Sequence, residues 1–132
     1  MGENRIKLVA ADMDGTLLNR ERKITKYTQN VIKKAMAQGV YFVPATGRAV
    51  NALPPELKEM EGIRYGIFSN GATIYDLKEE KVIYKNHFEM DRVLELMDFL
   101  KQFDLMESIS LNGQSYANKK EMENIDYLVF KR

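Results

Sequence analysis

The chain has 132 residues, enough for one domain with a sizeable core and short for two. Hydrophobic residues make up 45% and charged residues 30%, an ordinary globular balance that excludes a disordered or collagen-like chain. Lys and Arg number 20 against 19 Asp and Glu, a net charge of +1, and cysteine is absent; this argues against a broad nucleic-acid footprint and a polybasic membrane patch, and excludes a disulfide scaffold, a thiolate zinc site and cysteine catalysis.

Residues 6–11, IKLVAA, form a short and nearly continuous apolar run, the pattern of a strand buried on both faces. A polar loop opened by Gly15 follows. Thr25 is placed to cap a helix in which Tyr27, Val31, Ala35 and Met36 recur at helical spacing, with Gly39 as its stop. Residues 40–45 form a second strand, with Pro44 near its end. Residues 47–60 are helical in pattern but broken by Pro54 and Pro55. Residues 65–69 form a third strand, ended by the turn Asn70-Gly71. This strand–helix–strand–helix–strand series predicts an α/β fold with a parallel, doubly wound (Rossmann-like) sheet and right-handed crossovers.

Beyond Gly71 the style changes. ATIYD and KVIYKNHF flank residues 77–80 as a hairpin. Asp91 is placed to cap a helix with Val93, Leu94, Met97, Leu100 and Phe103 along one stripe, and Asn112-Gly113 sits between alternating residues as a second hairpin turn. The change of pattern places a boundary near residue 82. The polar N-terminal residues and the lack of any apolar run of about 18 residues predict a cytoplasmic protein without a membrane segment.

The chemistry concentrates in DMDGT, residues 12–16, directly after the first strand, where open parallel sheets bind ligands. In extended backbone Asp12 and Asp14 point the same way and Met13 points into the core. Two converging carboxylates repel each other, and Mg²⁺ relieves the repulsion. One carboxylate suits attack on phosphorus through an aspartyl-phosphate, the other general acid and base work. At the end of the second strand, Thr46 offers a hydroxyl and Gly47 a close backbone approach; Thr46 reads by itself as a helix cap, or with its neighbours as an anion site that the topology brings beside Asp12. His87, the only histidine, has no partner at ligand spacing and reads as structural or exposed. Arg20, Arg22 and Lys23 read as a solvated loop, with steering of a phosphorylated substrate as the alternative.

These residues carry a family resemblance. AADMDGTLLN, KITKYTQNVIKKAMAQGVYFVPATGR and GIFSNGATIYD resemble the haloacid dehalogenase-like phosphatases, specifically the Cof-type subfamily with an α/β (class IIB) cap. The match is strong over residues 5–76. It implies a Mg²⁺-dependent phosphohydrolase of small phosphorylated metabolites. Asp12 would be nucleophile and metal ligand. Asp14 would be general acid and base, giving its backbone carbonyl to the metal. Thr46 and Gly47 would bind phosphoryl oxygens, and Arg48 and Asn70 would contact phosphate or substrate. Arg48 as an ion-pair former and Asn70 as a plain turn residue stand as alternatives.

The resemblance also implies residues 1–82 as the N-terminal part of the core and 83–132 as a partial α/β cap. The family's stabilising lysine and its GDxxND loop lie downstream of the cap. Nothing in this sequence matches GDxxND. A truncated chain is therefore expected, and an inactive fragment or pseudoenzyme acting as a self-associating binding module competes with the phosphatase reading. In the family topology the first strand is central, so residues 6–11 are expected as an open edge and the chain as a homodimer, the alternative being a monomer whose own residues 127–130 cover that edge.

Overall fold

The first strand of the structure, a computed structural model that describes residues 6–103, 108–111 and 114–117, ends in an acidic turn. The chain divides into two compact units, residues 1–85 and 86–132. In the first unit, β1 (Leu8–Asp12) leads through an irregular turn (Met13–Leu17) to α1 (Lys26–Ala37) and β2 (Tyr41–Ala45). A short turn at Val50–Ala52 and the one-turn helix α2 (Pro55–Lys58) lead to β3 (Tyr65–Phe68). The two prolines reduce the expected helix to these pieces, because Pro55 can open a helix but cannot continue one. The antiparallel β4 (Thr73–Asp76) and β5 (Lys81–Lys85) complete a five-stranded sheet of order β1-β2-β3-β4-β5. β1, β2 and β3 are parallel, as the alternation of strands and helices predicts.

Thr25 caps α1 as expected, its hydroxyl accepting from the Thr28 N–H at 3.1 Å. The buried stripe of α1 differs from the expected one. Ile32 faces the core and Met36 packs against it, whereas Tyr27 and Val31 are exposed. Four apolar residues at helical spacing define two adjacent stripes here, and the sheet selects only one of them.

Register identifies the working face of the sheet. Val9 stands beside Phe42 and Ala45 beside Ile67, so Phe42 and Phe68 share a face. On it they form one cluster with Met13, Ile32 from α1 and Leu57 from α2. Both helices therefore pack on the same side of the strands. β1 departs from its expected burial: Leu8, Val9 and Ala10 are exposed. Its apolar run suits a doubly covered strand, but among the described residues β1 pairs only with β2.

Where β3 meets β4, Asp76 is buried and Arg64 donates to its Oδ2 from Nε at 3.0 Å. Asp76 Oδ1 accepts from the Lys78 and Glu79 N–H groups, both at 3.0 Å, and so shapes the hairpin turn. Burial alone would raise the Asp76 pKa, but these backbone donors and the Arg64 guanidinium outweigh it and hold the carboxyl below its usual range. A depressed carboxyl stabilises the fold above its unfolded pKa of about 3.9, and that stability is lost as pH falls through the folded pKa. Asp76→Ala is expected to lower the urea midpoint at neutral pH, with a difference from the parent that shrinks under acid. Urea titrations at pH 7 and pH 3 measure both.

In the second unit, α3 (Met90–Leu100) is followed by a hairpin of β6 (Ser108–Leu111) and β7 (Gln114–Ala117), paired antiparallel as the alternation predicts. Its turn residues, Asn112 and Gly113, lie outside the described residues. Asp91 does not cap α3. The cap position is Glu89, without a side-chain bond, and Asp91 sits in the first turn, where a carboxylate still favours the helix dipole. Of the expected stripe, Val93, Met97 and Leu100 are half-buried, and Leu94 and Phe103 are exposed.

Candidate active site

The sheet register brings the DMDGT turn and the second-strand loop together. Asp12, the last residue of β1, stands beside Ala45, the last of β2, so Thr46 follows directly alongside the acidic turn. Asp12 and Asp14 are both extended and exposed, and Met13 between them is fully buried in the core. This alternation is the one expected for strand geometry carried past the strand end. Gly15 then turns the chain at φ +81, a conformation that open space alone would not excuse in another residue. Thr16 donates its hydroxyl to Asp12 Oδ2 at 3.3 Å. The Asp12 carboxylate is otherwise open to solvent.

Thr46 is 6% exposed, and its hydroxyl accepts from the Arg48 N–H at 3.1 Å. The Thr46 N–H binds the Ile67 carbonyl at 2.9 Å, which ties the loop to the end of β3. The β3 turn in its place binds back: Ser69 N–H donates to the Arg48 carbonyl at 3.0 Å and Asn70 N–H to the Thr46 carbonyl at 3.2 Å. Three consecutive residues, Ser69, Asn70 and Gly71, have positive φ. Such strain persists only where the surroundings impose it, and here the two backbone bonds do so.

Arg48 forms an ion pair, the alternative that the sequence left open beside a phosphate contact. Its Nε donates to Asp14 Oδ2 at 2.8 Å and its Nη2 to Asp14 Oδ1 at 2.5 Å, a two-point fork, while Nη1 reaches the Ala52 carbonyl at 3.3 Å. The hydrogen-bonded guanidinium holds the Asp14 carboxyl below its ordinary value, against partial desolvation and with a weaker pull from Arg22. The Arg48–Asp14 pair was accessible in principle from opposite charges beyond neighbouring strand ends. The part of Asn70 was not. Its side chain lies so close over Gly47 that a Cβ there would stand 2.7 Å from Asn70 Oδ1. Gly47→Ala is therefore expected to turn the exposed Asn70 side chain aside, with no more than about 0.5 kcal/mol lost from the fold. Urea unfolding measures the loss, and a clearly lowered midpoint would show that Asn70 is held in place.

A family model described as haloacid dehalogenase-like hydrolase matches residues 9–131. The chain belongs to the haloacid dehalogenase-like hydrolases. A protein of Buchnera aphidicola subsp. Schizaphis graminum is 38% identical over 121 residues, which cover 89% of this chain and 43% of that protein. The 5-amino-6-(5-phospho-D-ribitylamino)uracil phosphatase of Bacillus subtilis is 37% identical over 89 residues, 64% of this chain and 36% of the enzyme. Among solved structures, a subclass IIB sugar phosphatase of the superfamily is similar with a TM-score of 0.74 and 27% identity, over 92% of this chain and 48% of that one. The chain thus spans less than half the length of the relatives it matches. Among the described residues no helix is long and apolar enough to cross a membrane.

Proposed function

We propose that this member of the family contributes the nucleophile side of a phosphatase site for small phosphorylated metabolites. The carrying observation is the junction of DMDGT with Thr46 and Gly47 at adjacent strand ends. Asp12 attacks the phosphorus of a phosphate monoester, and the phosphorus–oxygen bond to the alcohol breaks. Asp14, freed of Arg48 and protonated from solvent, gives the departing alkoxide that proton. Water then attacks the aspartyl-phosphate, its proton passes to Asp14, and inorganic phosphate leaves with Asp12 restored. The Thr46 hydroxyl and the backbone of Gly47 support the phosphoryl oxygens.

The donor set is compatible with Mg²⁺. Asp12 offers a carboxylate committed only to one long hydrogen bond, and one or two such ligands with water and phosphate suffice for this ion. Asp12 and the Asp14 backbone carbonyl would hold it, and when bound it offsets charge on the phosphoryl group. The Asp14 carboxylate is engaged by Arg48. A phosphoryl dianion at Thr46 competes for that guanidinium, and its arrival would release Asp14 for proton transfer. Residues 1–82 form the N-terminal part of the core in this reading, and residues 83–132 form part of a substrate-choosing cap. Acid quenching during turnover, with the chain alone or complemented by the C-terminal part of a relative, tests the proposal. Phosphate recovered on Asp12 supports it, and turnover without a covalent intermediate, or with phosphate on Asp14, overturns it.

A further inference from the structure

The geometry points to Arg22 as the residue that reads the leaving group: it holds a second anionic group, a carboxylate or a second phosphoryl, on the alcohol side of a phosphate monoester. This rests on the phosphatase reading above and names a substrate class for the same site. Residues 19–23 form a short loop set against the acidic turn. Its two ends are fixed in the core, since Leu18 and Ile24 are both buried in the cluster that holds Met13, the residue between the two acids. The Leu18 N–H donates to the Met13 carbonyl at 2.9 Å, so the loop starts directly from the turn. Asn19 closes it. The Asn19 N–H donates to the Lys23 carbonyl at 3.0 Å, and Asn19 Oδ1 accepts from the Glu21 and Lys23 N–H groups at 3.0 and 2.9 Å. The Asn19 carbonyl accepts from the Arg22 N–H at 2.9 Å, with Arg22 in the left-handed region at φ 59. Arg22 is half-buried, whereas Arg20 and Lys23 are exposed.

Two arginines from different loops thus bear on Asp14. Arg48 engages its carboxylate directly, and the Arg22 charge also reaches it. Their parts in the reaction differ. Phosphoryl oxygens belong at Thr46 and Gly47, in the loop of Arg48, whose N–H donates to the Thr46 hydroxyl. Asp14 protonates the oxygen of the departing alcohol. A cation that reaches Asp14 from the 19–23 loop, and not from the Thr46 loop, therefore stands on the alcohol side of the reacting phosphorus. Charge along the chain agrees with this. Residues 20–26 carry four of the 20 Lys and Arg and a single acid, Glu21, in a chain with a net charge of only +1. Such a concentration beside a site raises the local concentration of anions. A guanidinium adds geometry to that attraction, because its planar fork matches a carboxylate or a phosphoryl group at two points.

Binding of non-hydrolysable phosphonates tests this without turnover. Propylphosphonate, phosphonopropionate and trimethylene bisphosphonate share one phosphonate and differ in the far group. Each is titrated into the chain in excess Mg²⁺ at one ionic strength, and affinity is read from the Thr46 and Gly47 amide resonances. The two acid-ended ligands are expected to bind about three- to fivefold tighter than propylphosphonate, the scale of a partly exposed ion pair. Arg22→Asn, whose side chain tolerates the left-handed backbone, is expected to erase that preference and leave propylphosphonate binding unchanged. Arg22→Lys is expected to keep part of it and Arg20→Gln all of it. The parent supplies a readout that needs no variant: the Arg22 Nε–H resonance is expected to shift with the acid-ended ligands and not with propylphosphonate. Equal affinity for the three ligands, or an Arg22 Nε–H that stays in place, overturns this inference and leaves the phosphatase reading standing. So does a preference that Arg22→Asn keeps, or that Arg20→Gln removes equally, which would be charge without a site. If no phosphonate moves the Thr46 and Gly47 resonances, both readings fall. A preference confined to phosphonopropionate or to the bisphosphonate supports the inference and identifies the second group as carboxylate or phosphoryl.

Discussion

Replacing Asp12 with alanine is expected to abolish turnover in any preparation of this chain that hydrolyses phosphate monoesters. The side chain makes one long hydrogen bond, from Thr16, and is exposed, so the fold has little to lose by its removal. A change in rate is then a change in chemistry. Without a nucleophile the covalent route is closed, whereas Asp14→Asn keeps the nucleophile and removes proton transfer, worth about 10²–10⁴-fold. The two variants separate the roles. If Asp12 only ended a strand, its alanine variant would keep its rate, and a steady-state assay with circular dichroism as a control would show it. If the roles were reversed, Asp14→Asn would be the dead enzyme and Asp12→Ala the slow one.

The sequence was most legible where one local pattern had one structural solution. The apolar runs around β1, β2 and β3, the Thr25 cap and the buried Met13 between two exposed acids all follow from residue type and spacing. It was less legible where several solutions shared a pattern. Tyr27, Val31 and Met36 fit a helix face, but which face the sheet covers depends on residues distant in the chain. IKLVAA suits a doubly covered strand, yet coverage is supplied by neighbours and not by the strand itself. The placement of Asp12, Asp14, Thr46 and Gly47 at adjacent strand ends was readable because turn chemistry and strand ends coincide there. The Arg48–Asp14 fork and the seat of Asn70 over Gly47 each join loops from different strands. Periodicity says nothing about such cross-loop contacts; only the register of the sheet produces them.

The isolated 132-residue chain is expected to be a phosphatase slower than ordinary enzymes by several orders of magnitude. Among the described residues no group of three His, Cys, Asp or Glu side chains could hold a metal ion, and of the two site carboxylates one is occupied by Arg48. The same pair holds the Arg48 guanidinium on Asp14. The resemblance implies two further contributions, a lysine against the transferred charge and a GDxxND acid at the metal, and the latter motif does not occur in the sequence. A single electrostatic contact of this kind is worth about 3–4 kcal/mol to a transition state, and about 1.4 kcal/mol is a factor of ten in rate. Losing two would remove roughly four to six orders of magnitude if their effects add. Purified chain of confirmed mass, assayed with acetyl phosphate and sugar phosphates in Mg²⁺, measures this. Turnover at about 1–10³ s⁻¹ would show that the described residues suffice for the chemistry. A silent chain whose activity returns on addition of the C-terminal part of a relative would locate the missing groups there. A chain that stays silent in that mixture, though the two parts bind, would favour the non-catalytic binding module.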